Sequence, residues 1–224
     1  TLDRIQLLRR EFVQTALLAE RAGFDIVELH LAHGYLLQSF LSPLANKRSD
    51  AYGGSLENRM RLPLEIARDM RAALSDKTPI FARISATDWI DGGWTLEDSV
   101  VLADRLKEAG VDLIDCSSGG NLLRGATNSN LARGPLYQVP FAETIRRKAN
   151  VPTMAVGMIR TGAEAEQVLR DGKADLVEIG RQMLFNPSWV QHSAQEFGVD
   201  PNFSRWPEPY GWWLSKWAKA VAAV

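Results

Sequence analysis

DIVELHLAHGYLLQSFLSPLANKRSDAYGGSLENRMR, residues Asp25 to Arg61, is the stretch from which the rest of the chain can be read. It opens on an apolar run, Ile26 to Leu31, set between turn-forming residues. A short run of this kind reads as a strand buried in a parallel sheet. His30 and His33 lie at its carboxyl end, and Tyr35 just beyond, after Gly34. In parallel α/β proteins, ligands bind outside that end of the strands. From Asn46 to Arg61 the segment is dense in Asn, Arg, Asp, Gly and Ser. Such side chains satisfy the backbone groups of a long loop, so this block reads as structural.

Working outward, the same syntax recurs. Leu7 to Ala22 reads as an amphipathic helix with Leu8, Phe12 and Ala16 on one stripe, stopped by Gly23. The first strand is expected over Asp25 to Leu31. Later strands are expected at Ile80–Ser85, Leu113–Ser117, Thr153–Val156 and Leu176–Ile179. Helices are expected at Leu56–Leu74, at Leu96–Ala109 after a Thr95 cap, up to about Ala149, and at Thr161–Asp171. A last helical stretch, Arg181 to Phe197, carries a break at Pro187. A Gly- and Asn-rich loop runs from the third strand to Pro140.

Five strand–helix alternations without linkers imply parallel βαβ units, each about 30 residues long as in a (β/α)8 barrel. An open doubly wound sheet is the alternative. It favours Gly-x-Gly-x-x-Gly after its first strand, and that motif is absent. Residues 1–224 therefore read as one partial TIM-barrel domain of α/β class, with an aromatic tail from about 200 to 224. Alternation along the strands puts Glu28, Arg83, Asp115 and Glu178 on inward faces. Buried charges persist when paired, so these four are candidates for a polar layer inside the barrel.

Composition narrows the function. The chain has 224 residues, 46% hydrophobic and 24% charged, which suits a globular domain. A net charge of −1 leaves no electrostatic footprint for nucleic acid. No apolar run is long enough for a transmembrane helix, so no membrane partner is expected. A single cysteine, Cys116, excludes an internal disulfide and suits a reducing cytoplasm.

Spacing alone leaves the candidate site open. Two histidines three apart beyond a strand can bind a metal, cap a loop or hold a substrate oxygen. A metal needs three or four ligands, and the one other histidine, His192, lies on the last helix, so no metal is expected. A tyrosine in a loop is commonly a packing residue. Arg83 must meet an anion, whether Glu28, Asp115 or a ligand. Gly157 and Gly180-Arg181 close the fourth and fifth strands, either as plain strand stops or as a phosphate cradle.

The motif HLAHGYLLQSFLSP, followed by Asn46, Arg48, Asp50 and YGGSLENR, resembles the Old Yellow Enzyme family of FMN-dependent ene-reductases, in particular its bacterial His-His branch. The likeness runs to about Trp213, and it places this chain in the C-terminal part of the family's barrel, with about three strands preceding it on this chain or on a separate N-terminal segment. The resemblance implies FMN as cofactor, NAD(P)H as reductant and an activated alkene, an enone or nitro compound, as substrate. It implies that His30 and His33 donate hydrogen bonds to the activating oxygen and that Tyr35 protonates the α-carbon. It implies that Arg83, in ARISA, faces the flavin near N1, and that Gly157, Gly180 and Arg181, in AVGMI and IGR, hold the phosphate. Trp213 matches a residue that reaches a partner subunit's site, so the tail is expected to build a homo-oligomer. A phosphate-binding barrel lyase or aldolase, an iron–sulfur dienoyl-CoA-type reductase and a non-catalytic barrel fragment are the other readings. An aldolase needs a Schiff-base lysine at a strand end and none is visible, a single cysteine leaves no ligand set for the cluster, and a flavin absorbance band would separate the fragment from the enzyme readings.

Overall fold

The computed structural model describes residues 1–121 and 133–222. The middle of the Gly- and Asn-rich loop, and the last two residues of the tail, lie outside the described residues. The chain opens with helix α1, Leu2–Arg21, capped by the Thr1 hydroxyl. It starts five residues earlier than the stripe of Leu8, Phe12 and Ala16 indicates. Ile5 extends that apolar face and is buried with Ala16.

Strands β1 (Val27–Leu31), β2 (Ile80–Ser85), β3 (Leu113–Ser117), β4 (Thr153–Ala155) and β5 (Leu176–Val177) form one sheet in the order β1-β2-β3-β4-β5. All four pairings are parallel. Between them stand α2 (Leu36–Leu41), α3 (Leu56–Ala73), α4 (Leu96–Glu108), α5 (Val139–Ala149) and α6 (Gly162–Arg170). After β5 come α7 (Arg181–Phe185), α8 (Trp189–Glu196) and α9 (Glu208–Val221). The break expected at Pro187 separates α7 from α8. Two helices are additions to the sequence reading: α2, inside the long loop, and α9, which orders most of the aromatic tail. Strands β1, β4 and β5 are shorter than their apolar runs.

Local chemistry explains the element ends. Thr95 with Asp98, and Thr161 with Glu164, form capping boxes at the starts of α4 and α6. Side chains of the Asn46–Arg61 block hold the loop carbonyls as expected. Asn46 Nδ2 donates to the carbonyls of Phe40 and Tyr52, Arg59 Nε to that of Leu41, and Arg61 Nε to that of Ala51.

The sheet has two unlike faces. Leu29, Leu31, Ile80, Ala82, Ile84, Ile114, Cys116 and Ala155 point toward the helices and form the main core with Leu62, Ile66, Leu102, Leu106 and Ile145. The other face carries His30, Arg83, Asp115 and Met154, which stand in register across β1 to β4. This is the interior of five consecutive units of a (β/α) barrel.

Candidate functional site

Above β1 the chain makes a strained turn. His33 has φ 61° and Gly34 φ 78°, two consecutive residues in the left-handed region. A Cβ on Gly34 would lie 2.4 Å from the Gly120 carbonyl oxygen, and one on Gly120 would lie 2.1 Å from the His33 carbonyl carbon. The loops after β1 and β3 therefore cross here in a contact that only glycine allows. The turn's amides are satisfied in sequence. His33 N–H donates to Ser85 Oγ at 3.0 Å, Gly34 N–H to Gln38 Oε1 at 2.5 Å, and Tyr35 N–H to the Ala32 carbonyl at 3.2 Å.

This turn gathers the three residues that the resemblance singles out. The His30 ring lies 5.3 Å from the His33 ring and 5.5 Å from the Tyr35 ring, centre to centre. His33 Nε2 is 2.7 Å from Ser117 Oγ. Burial, with the Arg83 cation as the next cause, pushes the His33 imidazole down to about 4. The same two causes, in the same order, lower His30. Both rings are therefore neutral at pH 7. Tyr35 is 66% exposed, so its hydroxyl is open to a ligand.

Beside the cluster lies a cavity of about 450 Å³ at the carboxyl ends of β2 to β5. Arg83, Ser117, Gly157, Glu178, Gly180 and Arg181 all line it. All four expected cofactor residues thus share one wall system, although β2 and β5 are far apart in sequence. Ser117, which also holds His33, joins the cavity to the histidines. Trp213 lies elsewhere, on α9, and is 66% exposed.

Three of the four expected interior charges meet at the wall of the cavity, two of them lining it. Arg83 Nη1 is 2.7 Å from Glu178 Oε1 and 3.1 Å from Asp115 Oδ2. Asp115 is fully buried, yet neither of its oxygens accepts a well-aligned hydrogen bond. Burial pushes its carboxyl up to about 8, against the pull of Arg83 and with the help of Glu178 and Glu28. Glu28 is raised by burial as well, but it makes no ion pair among the described residues. It sits one layer lower, in register with Phe81.

The lining suits an extended anionic group. Arg83 Nε is buried without a hydrogen-bond partner. The arginines at 160 and 181 supply positive charge, and Arg160 is engaged by Glu164 while Arg181 makes no ion pair among the described residues. A Cβ added to Gly180 would meet nothing within 4 Å, so this glycine leaves space on the cavity side and fills no packing need of the protein itself. Gly157 has φ 123° and packs against Gln138, whose side chain is tied to Ser118 Oγ and the Val156 carbonyl. Gln138 and Ser117 were silent in the sequence, since a glutamine in a loop and a serine ending a strand carry no pattern of their own. Among the described residues, no group of three His, Cys, Asp or Glu side chains is placed to hold a metal ion.

The pattern of the family described as NADH:flavin oxidoreductase / NADH oxidase matches residues 1–198. A NADPH dehydrogenase of Halalkalibacterium halodurans is 47% identical over 199 residues, covering 89% of this chain and 57% of that one. The NADPH dehydrogenase of Bacillus subtilis is 43% identical, covering 88% and 56%. The chain thus spans about half the length of the curated relatives it matches. Among solved structures, a 2-naphthoyl-CoA reductase complex superposes with a TM-score of 0.79 at 27% identity, over 90% of this chain and 30% of that one. A variant of morphinone reductase in complex with tetrahydroNAD gives 0.69 at 27%, over 88% and 50%.

Proposed function

The chain belongs to the NADH:flavin oxidoreductase / NADH oxidase family, and from that premise we propose that the protein is an FMN-dependent NAD(P)H dehydrogenase that reduces activated alkenes. The observation that carries this reading is the joint position of the His30–His33–Tyr35 cluster and the arginine- and glycine-lined cavity at one end of one sheet. When bound, FMN would supply the two-electron redox chemistry that links NAD(P)H to the alkene.

The chain's own residues do the rest. Arg83, Gly157, Gly180 and Arg181 would hold the cofactor, the two glycines and Arg181 being suited to a phosphate. A fixed cation at Arg83 would favour the anionic reduced form of the cofactor. His30 and His33, held neutral, donate N–H groups to the carbonyl or nitro oxygen of the alkene. A Ser117 hydroxyl donating to His33 Nε2, 2.7 Å away, would leave the ring proton on Nδ1, the tautomer free to donate to the substrate. Those donors stabilise the negative charge that appears on this oxygen when hydride reaches the β-carbon. Tyr35 then gives its phenolic proton to the α-carbon.

The test has two parts. Denaturing release of the bound cofactor, with mass identification, should return FMN; FAD, or no flavin after reconstitution, would exclude the reading. In stopped flow, Tyr35→Phe should slow reoxidation by an enone on the order of 10²-fold or more while flavin reduction by NAD(P)H stays near the parent rate. Equal losses in both halves would remove Tyr35 from the chemistry.

A further inference from the structure

We infer that Asp88, which touches neither the histidines nor the cavity, is a positioning residue that sets the His33–Tyr35 turn through Gln38; the inference rests on the function proposed above. Asp88 is fully buried, yet no cation faces it among the described residues. Four neutral donors surround it instead. Gln38 Nε2 at 2.8 Å and Asn121 Nδ2 at 3.0 Å give to Oδ1. Ser42 Oγ at 2.5 Å and the Trp94 amide at 2.9 Å give to Oδ2. These donors come from α2 and the residue after it, from the loop after β2 and from the loop after β3, so one carboxylate ties together three of the segments at the mouth.

The consequence for the turn follows from donor and acceptor counting. A carboxylate only accepts, so it compels the Gln38 amide to face it with nitrogen. That leaves Gln38 Oε1 turned to the Gly34 N–H, where it accepts at 2.5 Å. Gly34 separates His33 from Tyr35, and both His33 and Gly34 sit in a left-handed conformation, which a non-glycine residue such as His33 keeps only where its surroundings impose it. Gln38 is itself 1% exposed, so water cannot replace its bond. The polarity of a buried carboxylate thereby fixes the relative placement of a hydrogen-bond donor to the substrate and of the proton donor. An asparagine at position 88 would present an N–H₂ to a pair of donors. The Gln38 amide would then turn over and set its own nitrogen against the Gly34 N–H.

The experiment compares Asp88→Asn, Gln38→Leu, the double variant Gln38→Glu/Asp88→Asn, and Tyr35→Phe, all in the FMN-loaded protein. The double variant restores the chain with its polarity reversed, because a carboxylate at position 38 accepts both from the Gly34 N–H and from the side-chain amide placed at position 88. Three readouts are taken: stopped-flow rates of both half-reactions, phenol binding by perturbation of the flavin spectrum, and hydrogen exchange of the Gly34 amide. For Asp88→Asn and Gln38→Leu we expect enone-driven reoxidation to fall about 10- to 100-fold, as for a small misplacement of reacting groups. Flavin reduction by NADPH should change less than about twofold, phenol binding should weaken, and Gly34 exchange should quicken. The double variant should recover most of the lost rate and the slow exchange. Losses equal in both half-reactions, unchanged Gly34 exchange, or no recovery in the double variant would overturn the inference. If Tyr35→Phe leaves reoxidation untouched while Gly34 exchange responds as expected, the function proposed for Tyr35 fails and the control of the turn by Asp88 stands.

Discussion

Arg83 Nη1 and Glu178 lie 2.7 Å apart although Arg83 stands on β2 and Glu178 directly follows β5, with β3 and β4 between these strands in the sheet. On a flat sheet, three strand spacings would hold their backbones about 14 Å apart with side chains parallel. The contact therefore requires the sheet to curl, with Arg83 spanning the interior of the arc. Asp115, on the strand next to Arg83, completes the group. The cavity that suits the cofactor sits on this bridge, so the curvature of the barrel and the charge under the ligand are set by the same guanidinium.

The buried carboxyl of Asp115 gives the molecule a pH dependence with a definite sign. Its pKa rises from an ordinary value near 4 to about 8 on folding, because burial disfavours its charged form. Between those values the folded chain binds the proton and the unfolded chain does not, so stability falls as pH rises. His33 acts in the opposite sense, but only between about 4 and its ordinary 6.5, where stability grows with pH. Above pH 6.5 the Asp115 contribution is left alone of these two. The unfolding midpoint should therefore drop from about pH 6.5 to about pH 8.5, and Asp115→Asn should flatten that drop. Parallel slopes for parent and variant would show that Asp115 is ionised throughout.

His33 also makes a kinetic prediction. With its pKa near 4, the ring does not change charge around pH 6.5. Reoxidation by an enone, followed in stopped flow, should be level from about pH 5.5 to about pH 8 with no inflection assignable to histidine, and should decline toward about pH 4. An inflection between about 6 and 7 that vanishes in His33→Ala would contradict the neutral-donor role.

Much of this arrangement was legible in the chain. The apolar runs ending in Ser85 and Ser117 gave β2 and β3 to the residue, because glycine or turn formers precede each of them and the inward alternation was kept. His30, His33 and Tyr35 could be placed at a strand mouth from position alone. What was not legible was made by tertiary contact. Short α2 lacks a helical stripe of its own and is held through Gln38 and Ser42 by Asp88, which lies beyond β2 in the chain. Helix α9 has apolar residues around much of its circumference, so its aromatic content read as a tail. The close pass of Gly34 and Gly120 depends on two loops meeting, which no local pattern records.

Glycines at two ends of the site should respond differently to the same change. Gly34→Ala puts a Cβ into the Gly120 carbonyl and strains a left-handed residue, so the loops must part. A loss of about 2 kcal/mol or more is expected, read as a lowered chemical-denaturation midpoint, with alkene reduction falling along with it. Gly180→Ala meets open space at negative φ and should leave the midpoint of the cofactor-free protein within about 0.5 kcal/mol. Its effect should appear instead as weaker retention of FMN on dilution. Equal destabilisation by both would mean that Gly180 is a packing residue.

The aromatic tail supplies the last prediction. Tyr210, Trp213 and Trp217 stand three and four residues apart on α9, hence on one face, and are 65%, 66% and 61% exposed. Trp212 adds an edge contact to Trp213, with their rings 4.5 Å apart, and Lys216 covers the Trp212 ring at 3.4 Å. Lys216 also lies over the Trp213 ring, at 5.7 Å, yet Trp212 and Trp213 stay 53% and 66% exposed, so these aromatics present apolar surface to solvent. Our proposal that this face joins a second copy of the chain, with Trp213 as its anchor, predicts a concentration-dependent mass in sedimentation. Trp213→Ser should shift it toward the monomer, since an aromatic anchor commonly contributes about 2 kcal/mol or more to an interface, roughly 30-fold in dissociation constant. Removal of the residues after Phe203 should shift it at least as far. A parent that sediments as a monomer at every concentration would leave α9 as an exposed helix with no partner of its own kind.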